Sequence, residues 1–169
     1  MSKAFKIRAF HRNDSERVIR LISDIIVNEF NFKLDFNTLD SDIFDIEENY
    51  NKSDGGCFWV AESVDDNNRQ QKIVGTTAVR NLKQFESTCE LKRMYVLKEF
   101  RRLGLGQKLL DIAVGHAKNV GYSKMVLDSS SNLYAARALY LKKGFFDIPR
   151  YNDNYRADVF MERKLSPNC

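Results

Sequence analysis

Residues 90–107, Glu-Leu-Lys-Arg-Met-Tyr-Val-Leu-Lys-Glu-Phe-Arg-Arg-Leu-Gly-Leu-Gly-Gln, restrict the fold more than any other part of the chain. An extended apolar run ends at Val96, a short basic turn follows, and Gly104 and Gly106 open a helix that continues Gln107-Lys108-Leu109-Leu110. A strand that feeds a glycine-rich turn and then a helix start builds an anion pocket. The glycines permit close approach of the backbone, and the first helical N–H groups, with the helix dipole behind them, favour negative charge. Arg101, Arg102 and Lys108 add formal positive charge to the same turn. The segment reads as a phosphate-binding turn.

Three phosphate templates compete for it. The Walker string Gly-x-x-x-x-Gly-Lys-[Ser/Thr] is absent from the chain. A dinucleotide turn, Gly-x-Gly-x-x-Gly, has Leu109 where the third glycine belongs, although Asp128 ends the next strand-like run at a suitable distance for a ribose contact. Arg/Gln-x-x-Gly-x-Gly is filled completely, by Arg101, Gly104 and Gly106. With the preceding Glu90-Leu91-Lys92-Arg93-Met94-Tyr95-Val96 and the downstream Ala136-Arg137-Ala138-Leu139-Tyr140 and Gly144-Phe145, it resembles the acyl-CoA motifs of the GNAT N-acetyltransferase superfamily in order and spacing. The resemblance covers roughly residues 5–165.

That resemblance implies an α+β fold, a mostly antiparallel twisted sheet with a splayed parallel strand pair and about four flanking helices. It implies acetyl-CoA as co-substrate, with Met94, Tyr95 and Val96 bonding the pantetheine arm through their backbone. Arg101, Arg102, Leu103, Gly104, Leu105, Gly106 and Gln107 would surround the diphosphate. Lys143, reaching toward the 3′-phosphate, is a further cofactor contact, and Asn132 is either another or instead the cap of the following helix. Tyr140 takes the family's general-acid position, and Glu90 is the general-base candidate. Even numbering back from Val96 places Glu90, Lys92, Met94 and Val96 on one strand face. The chain departs from the family pattern at Leu103, Lys98 and Leu133, where arginine, proline and asparagine are common.

The implied reaction is direct transfer of an acetyl group from acetyl-CoA to a primary amine in a ternary complex. A protein N-terminus, a lysine or an aminoacyl-tRNA are alternative acceptors, and a non-catalytic acyl-CoA sensor is the alternative to an enzyme. Residues 31–56 hold Asp35, Asp40, Asp42, Asp45, Glu47, Glu48 and Asp54 against Lys33 and Lys52, which favours a small cationic acceptor. Phe32, Tyr50, Trp59 and Tyr151 are candidate pocket walls.

The remaining bounds are broad. A chain of 169 residues suits one domain, 1–169, that buries about 70% of its unfolded surface. A net charge of +4 does not call for nucleic acid. No apolar stretch reaches membrane-span length, and the N-terminal residues lack a signal peptide's apolar core. Cys57, Cys89 and Cys169 are odd in number and widely spaced, which with the foregoing points to a reducing cytoplasm and to no metal; His11 and His116 stand alone. A homodimer is among the assemblies the resemblance implies. Periodicity places strands at residues 5–10, 57–62, 72–80, 87–96, 124–128, 145–148 and 156–164. It places helices near residues 14–26, 36–50, 104–119 and 132–143, with Asn13 or Asp14 capping the first.

Overall fold

A computed structural model describes residues 4–64 and 71–165. The loop expected between residues 64 and 71 therefore lies mostly outside the described residues, as does Cys169. The strands are β1 (Phe5–Ala9), β2 (Cys57–Ser63), β3 (Ile73–Asn81), β4 (Thr88–Val96), β5 (Lys124–Ser129), β6 (Phe146–Asp147) and β7 (Val159–Lys164). They form one sheet in the order β1-β2-β3-β4-β5-β7-β6. Every pairing is antiparallel except β4 with β5. This sheet rules out the dinucleotide reading, which needs a doubly wound parallel sheet.

Helices cover both faces. On one lie α1 (Ser15–Asp24), its π-helical continuation Ile25–Glu29, and α2 (Ile46–Asn49). Val18, Leu21, Ile22, Ile25 and Ile46 pack there on Phe58, Val60 and Ala78. On the other lie α3 (Leu105–Val120) and α4 (Tyr134–Lys142), which set Leu110, Ala113, Ala117 and Tyr140 against Trp59, Val79, Leu91, Met125 and Met161. Each large side chain so enclosed contributes about 1.5–3 kcal/mol. α3 ends at Gly121, whose φ of +95° and bonds to the Ala117 and Lys118 carbonyls stop the helix where glycine was expected to.

One local expectation is corrected and a second in part. Residues 36–50 do not form one acidic helix: a short 3-10 turn (Ser41–Phe44) and the four-residue α2 replace it. Asp45 breaks the run by capping α2, accepting from the Glu48 N–H at 3.2 Å, while Asp40 and Asp42 are drawn into the protein. Asp14 does hold the N-cap position of α1 but makes no side-chain capping bond to it; the capping bonds belong to the preceding 3-10 turn (Arg12–Asp14), which His11 caps. Its ring accepts from the Asn13 N–H at 3.3 Å, and Asp14 reaches back to the His11 N–H at 2.8 Å.

The feature that positions the site is a bulge in β4. Tyr95 pairs with Thr76 and Lys92 with Ala78, so β4 carries one residue more than β3 over this span. Arg93 takes up the extra length at φ +51°, and its carbonyl accepts from the Thr76 hydroxyl at 2.7 Å. Consequently the alternation expected along β4 fails. Lys92 and Glu90 face the α1 side, whereas Met94 packs with Leu91 and Val96 packs with Leu105 and Leu109 on the α3 side. The pairing of β4 with β5 also stops, at Glu90 opposite Val126, while β5 stays bonded to β7 through Ser129. The two parallel strands part, leaving a cleft between them.

Candidate active site

The turn at the mouth of the cleft has the expected build. Gly104 sits at φ +80°, a conformation that costs a residue with a side chain about 1–2 kcal/mol, directly before Leu105 begins α3. Among the described residues no side chain caps this helix, so its first N–H groups point outward. A Cβ on Gly104 would meet nothing within 4 Å, and one on Gly106 would meet only Met94 and Leu139 at 3.8 Å, so the backbone surface is open to a diphosphate. Leu105 is buried as an anchor, while Arg102, Leu103 and Gln107 are exposed around the turn.

Several expected contacts sit differently. Arg101 braces the turn: its Nε donates to the Val96 carbonyl at 2.9 Å and its guanidinium pairs with Glu29 at 2.6 Å. Lys143 pairs with Asp111 on α3 at 2.6 Å, which directs its charge at the helix pair. Asn132 is exposed and does not cap α4; Leu133 holds the N-cap position, and Asp158 fixes the preceding turn by accepting from the Ser131 N–H and hydroxyl. The family's asparagine position being Leu133, an apolar residue stands where a side-chain cap would.

Inside the cleft lies a cavity of about 160 Å³ lined by Met94, Tyr95, Leu127, Asp128 and Tyr140, among others. The Tyr140 hydroxyl donates to the Met94 sulfur at 3.8 Å. Burial, reinforced by Tyr95 and Asp128 nearby, raises its pKa above the ordinary phenol value, so Tyr140 keeps its proton until a strong base forms beside it. A thiolate in water is a weaker base than this phenolate, but one formed in the same buried cleft is raised in basicity by the same desolvation.

A second cavity of about 410 Å³ adjoins the first and shares Leu39, Lys92, Asp128 and Asn154 with it. Polar side chains among its walls include Thr38, Ser41, Arg80 and Asn152. Glu90 does not line either cavity. It is 1% exposed, and its carboxylate accepts from Arg80 Nε at 2.8 Å, the Tyr151 hydroxyl at 2.8 Å and Asn152 Nδ2 at 3.5 Å. Placed one layer behind the wall, Glu90 organises acceptor-side residues and has no open path for direct contact with an amine. The carboxylate at the junction of the two cavities is Asp128, held by Asn152 Nδ2 at 2.6 Å. Sequence reasoning weighed Asp128 only as a ribose ligand. The missed signal is its position two residues beyond the last β4–β5 pairing, where strand groups open into the cleft.

Two carboxylates of the acidic segment, Asp40 and Asp42, already hold cations of the protein itself, whereas Asp45, Glu47 and Glu48 stay exposed. Asp40 pairs with Arg93 and Arg156, each at 3.0 Å, and Asp42 with Arg93 at Nε 3.0 Å and through a second contact, with the Tyr50 hydroxyl donating to it as well. Burial opposes ionisation of Asp42, but the bonds and charge of Arg93 outweigh it and hold the carboxyl below its usual range. Of the aromatic wall candidates, Phe32 lines the first cavity. Tyr50 and Trp59 are core, the latter edge-on to His116 at 5.1 Å, and Tyr151 stands behind the wall with Glu90.

A sheet splayed at a bulge, a phosphate-type helix start at the cleft mouth and a phenol at its centre define the acyl-CoA acyltransferase class of fold. Comparison with known proteins agrees. The acetyltransferase (GNAT) family matches residues 22–145, and the chain belongs to that family. Human N-acetyltransferase 8 is 34% identical over 108 residues, covering 64% of this chain and 46% of the relative. Human N-acetylaspartate synthetase is 41% identical over 111 residues, covering 63% of this chain and 33% of the relative. The chain thus spans half or less of the length of these curated relatives. An acetyltransferase of the GNAT family from Staphylococcus aureus Mu50 superposes with a TM-score of 0.84 at 31% identity, covering 96% of this chain and all of the other.

Proposed function

We propose that the protein transfers an acetyl group from acetyl-CoA to a primary amine, directly, with both substrates bound. The observation that supports this most is the meeting of the two cavities at Asp128, with Tyr140 lining the one on the carrier side. The main-chain amides from Gly104 to Gln107 hold the diphosphate, and the free edge of β4 from Met94 to Val96 bonds the pantetheine arm as an added strand. The acyl carbon then lies between Tyr140 and Asp128.

An ammonium ion is not a nucleophile, so one proton must leave first; Asp128, the carboxylate facing the acceptor, takes it and passes it to solvent. The amine attacks the thioester carbon, the C–N bond forms and the C–S bond breaks. Tyr140 gives its proton to the departing thiolate, and the second proton on nitrogen returns through water to the phenolate. Amide, free CoA thiol and one solvent proton result. Positioned acid–base help of this kind is worth roughly 10²- to 10⁴-fold per group.

The test is calorimetric titration with acetyl-CoA followed by free-thiol release with an amine panel. Binding and amine-dependent thiol release are expected. Folded protein that binds no acetyl-CoA refutes the reading, and binding without transfer to any small or macromolecular amine favours the sensor alternative.

A further inference from the structure

Resting on that reading, we propose the chemical class of the acceptor: an amino acid with a free α-carboxylate, which Lys92 recognises while Asp128 receives the neighbouring ammonium. Lys92 lines both cavities, and its side chain is only 16% exposed. Its ion-pair partner among the described residues is Asp128, at 4.0 Å, which is beyond hydrogen-bond reach. A largely enclosed lysine side chain leaves its ammonium few waters, and oxygen acceptors supplied by a ligand offset that lost hydration.

Lys92 and Asp128 are the charged residues that line both cavities, while Asp153 lines the second alone and is exposed to solvent. Arg80 shares the sheet face with Lys92, because it pairs across the strands with Glu90, two residues away, and it is bonded to the Glu90 carboxylate at 2.7 Å. Asp42 is bonded to Arg93 and Tyr50. Lys92 and Asp128 are therefore the opposite charges at the reaction point that have not closed on one another.

An α-amino acid carries the same two charges, in the reverse order, on adjacent atoms. Set between Lys92 and Asp128, its carboxylate meets the ammonium and its own ammonium meets the carboxylate, each at the roughly 2.8 Å of a charge-assisted hydrogen bond. The nitrogen then sits beside Asp128, which it must do to lose a proton. A polyamine or other simple amine brings a cation to the same place with nothing to offer Lys92, and like charges in one site repel. The hydroxyl and amide groups of Thr38, Ser41 and Asn152 in the 410 Å³ cavity can bond a polar side chain on that amino acid.

The test is a set of matched trios: several polar amino acids, each beside its α-carboxamide and its decarboxylated amine, assayed by thiol release with saturating acetyl-CoA. The acid in each trio is expected to exceed the other two in kcat/KM by at least tenfold. Lys92→Gln should abolish that preference by raising the KM of the acid at least tenfold at unchanged acetyl-CoA affinity, and Lys92→Arg should restore part of it. Carboxamides or decarboxylated amines used as well as the acids overturn the proposal, as does a Lys92→Gln variant that slows all three members equally. Transfer to other amines with none of the trios active also overturns it, leaving the transferase reading intact. Failure to bind acetyl-CoA removes that reading as well.

Discussion

Replacing Arg93 with alanine should be the most damaging single change in this fold outside the apolar core. The guanidinium is 5% exposed and joins the β4 bulge to the acceptor-side segment, contacting Asp40, Asp42 and the Leu39 carbonyl at 2.6 Å. With Arg156 included, two cations face two carboxylates. Arg93→Ala leaves Asp40 one cation, Arg156, and leaves Asp42 buried beside the Tyr50 hydroxyl with no guanidinium. Removing one member of a buried ion pair costs about 3–5 kcal/mol, because the remaining charge stays desolvated. Against this, Arg93→Gly also relieves the left-handed backbone, so it should be about 1–2 kcal/mol less costly than the alanine variant.

For a domain of this length, about 4 kcal/mol corresponds to a loss of roughly 8–16 °C in Tm. The double variant Arg93→Met with Asp42→Leu should recover much of the deficit, since no uncompensated charge remains at that position. Acid adds a signature with a definite sign. The Asp42 carboxyl titrates below its ordinary value when folded, so its stabilisation is present above about pH 3.9 and disappears as pH falls through the folded value. The gap between wild type and Arg93→Ala should therefore narrow below about pH 4. Urea unfolding from neutral pH into acid measures all of this. A gap under about 1 kcal/mol at neutral pH, or one that widens in acid, refutes the account.

Tyr140→Phe should lower kcat by at least about 10²-fold while the acetyl-CoA Kd measured by calorimetry stays within about threefold, because the hydroxyl touches Met94 and not the phosphate turn. Gly104→Ala should reduce stability by only about 1–2 kcal/mol, the strain of φ +80° with open space around the new methyl, yet weaken acetyl-CoA binding at least tenfold by calorimetry. Glu90→Gln should cost about 1–3 kcal/mol in urea unfolding by weakening the buried pair with Arg80, and turnover should persist if the carboxylate organises the wall instead of meeting the amine. Burial pushes the Cys89 thiol up to about 12 and raises Cys57 as well, so mass spectrometry after mildly alkaline iodoacetamide treatment should find both unmodified in native protein and both modified in urea.

How much of this was visible in the amino acids alone follows from the range of each interaction. The turn from Arg101 to Gly106, the stop at Gly121 and the placement of Tyr140 depend on a few adjacent residues and on helical spacing, and the structure agrees with them. Direction along β4 after Lys92 depends on which residue absorbs a mismatch with β3, and nothing in Lys92-Arg93-Met94 marks Arg93 as the one in the left-handed region. That single residue reverses the face assigned to Met94 and Val96. It also changes the reading of two residues of the acidic segment: Asp40 and Asp42 look like bait for a cation from outside, but their cation comes from the bulge itself, 51 positions beyond Asp42 and 53 beyond Asp40.

The same long-range dependence separates the two carboxylates. Glu90 precedes the bulge and still pairs with Val126 in the closed part of the sheet, so Arg80 from β3 and Tyr151 and Asn152 from the segment before β7 surround its oxygens. Asp128 lies past the last β4–β5 pair, where separation of the strands exposes that face to both cavities. Which carboxylate faces the cavities is thus decided by the parting of two strands between them and by no difference between the residues themselves. On the proposed reaction, the bulge at Arg93 that parts the two strands is also what selects the group that takes the proton.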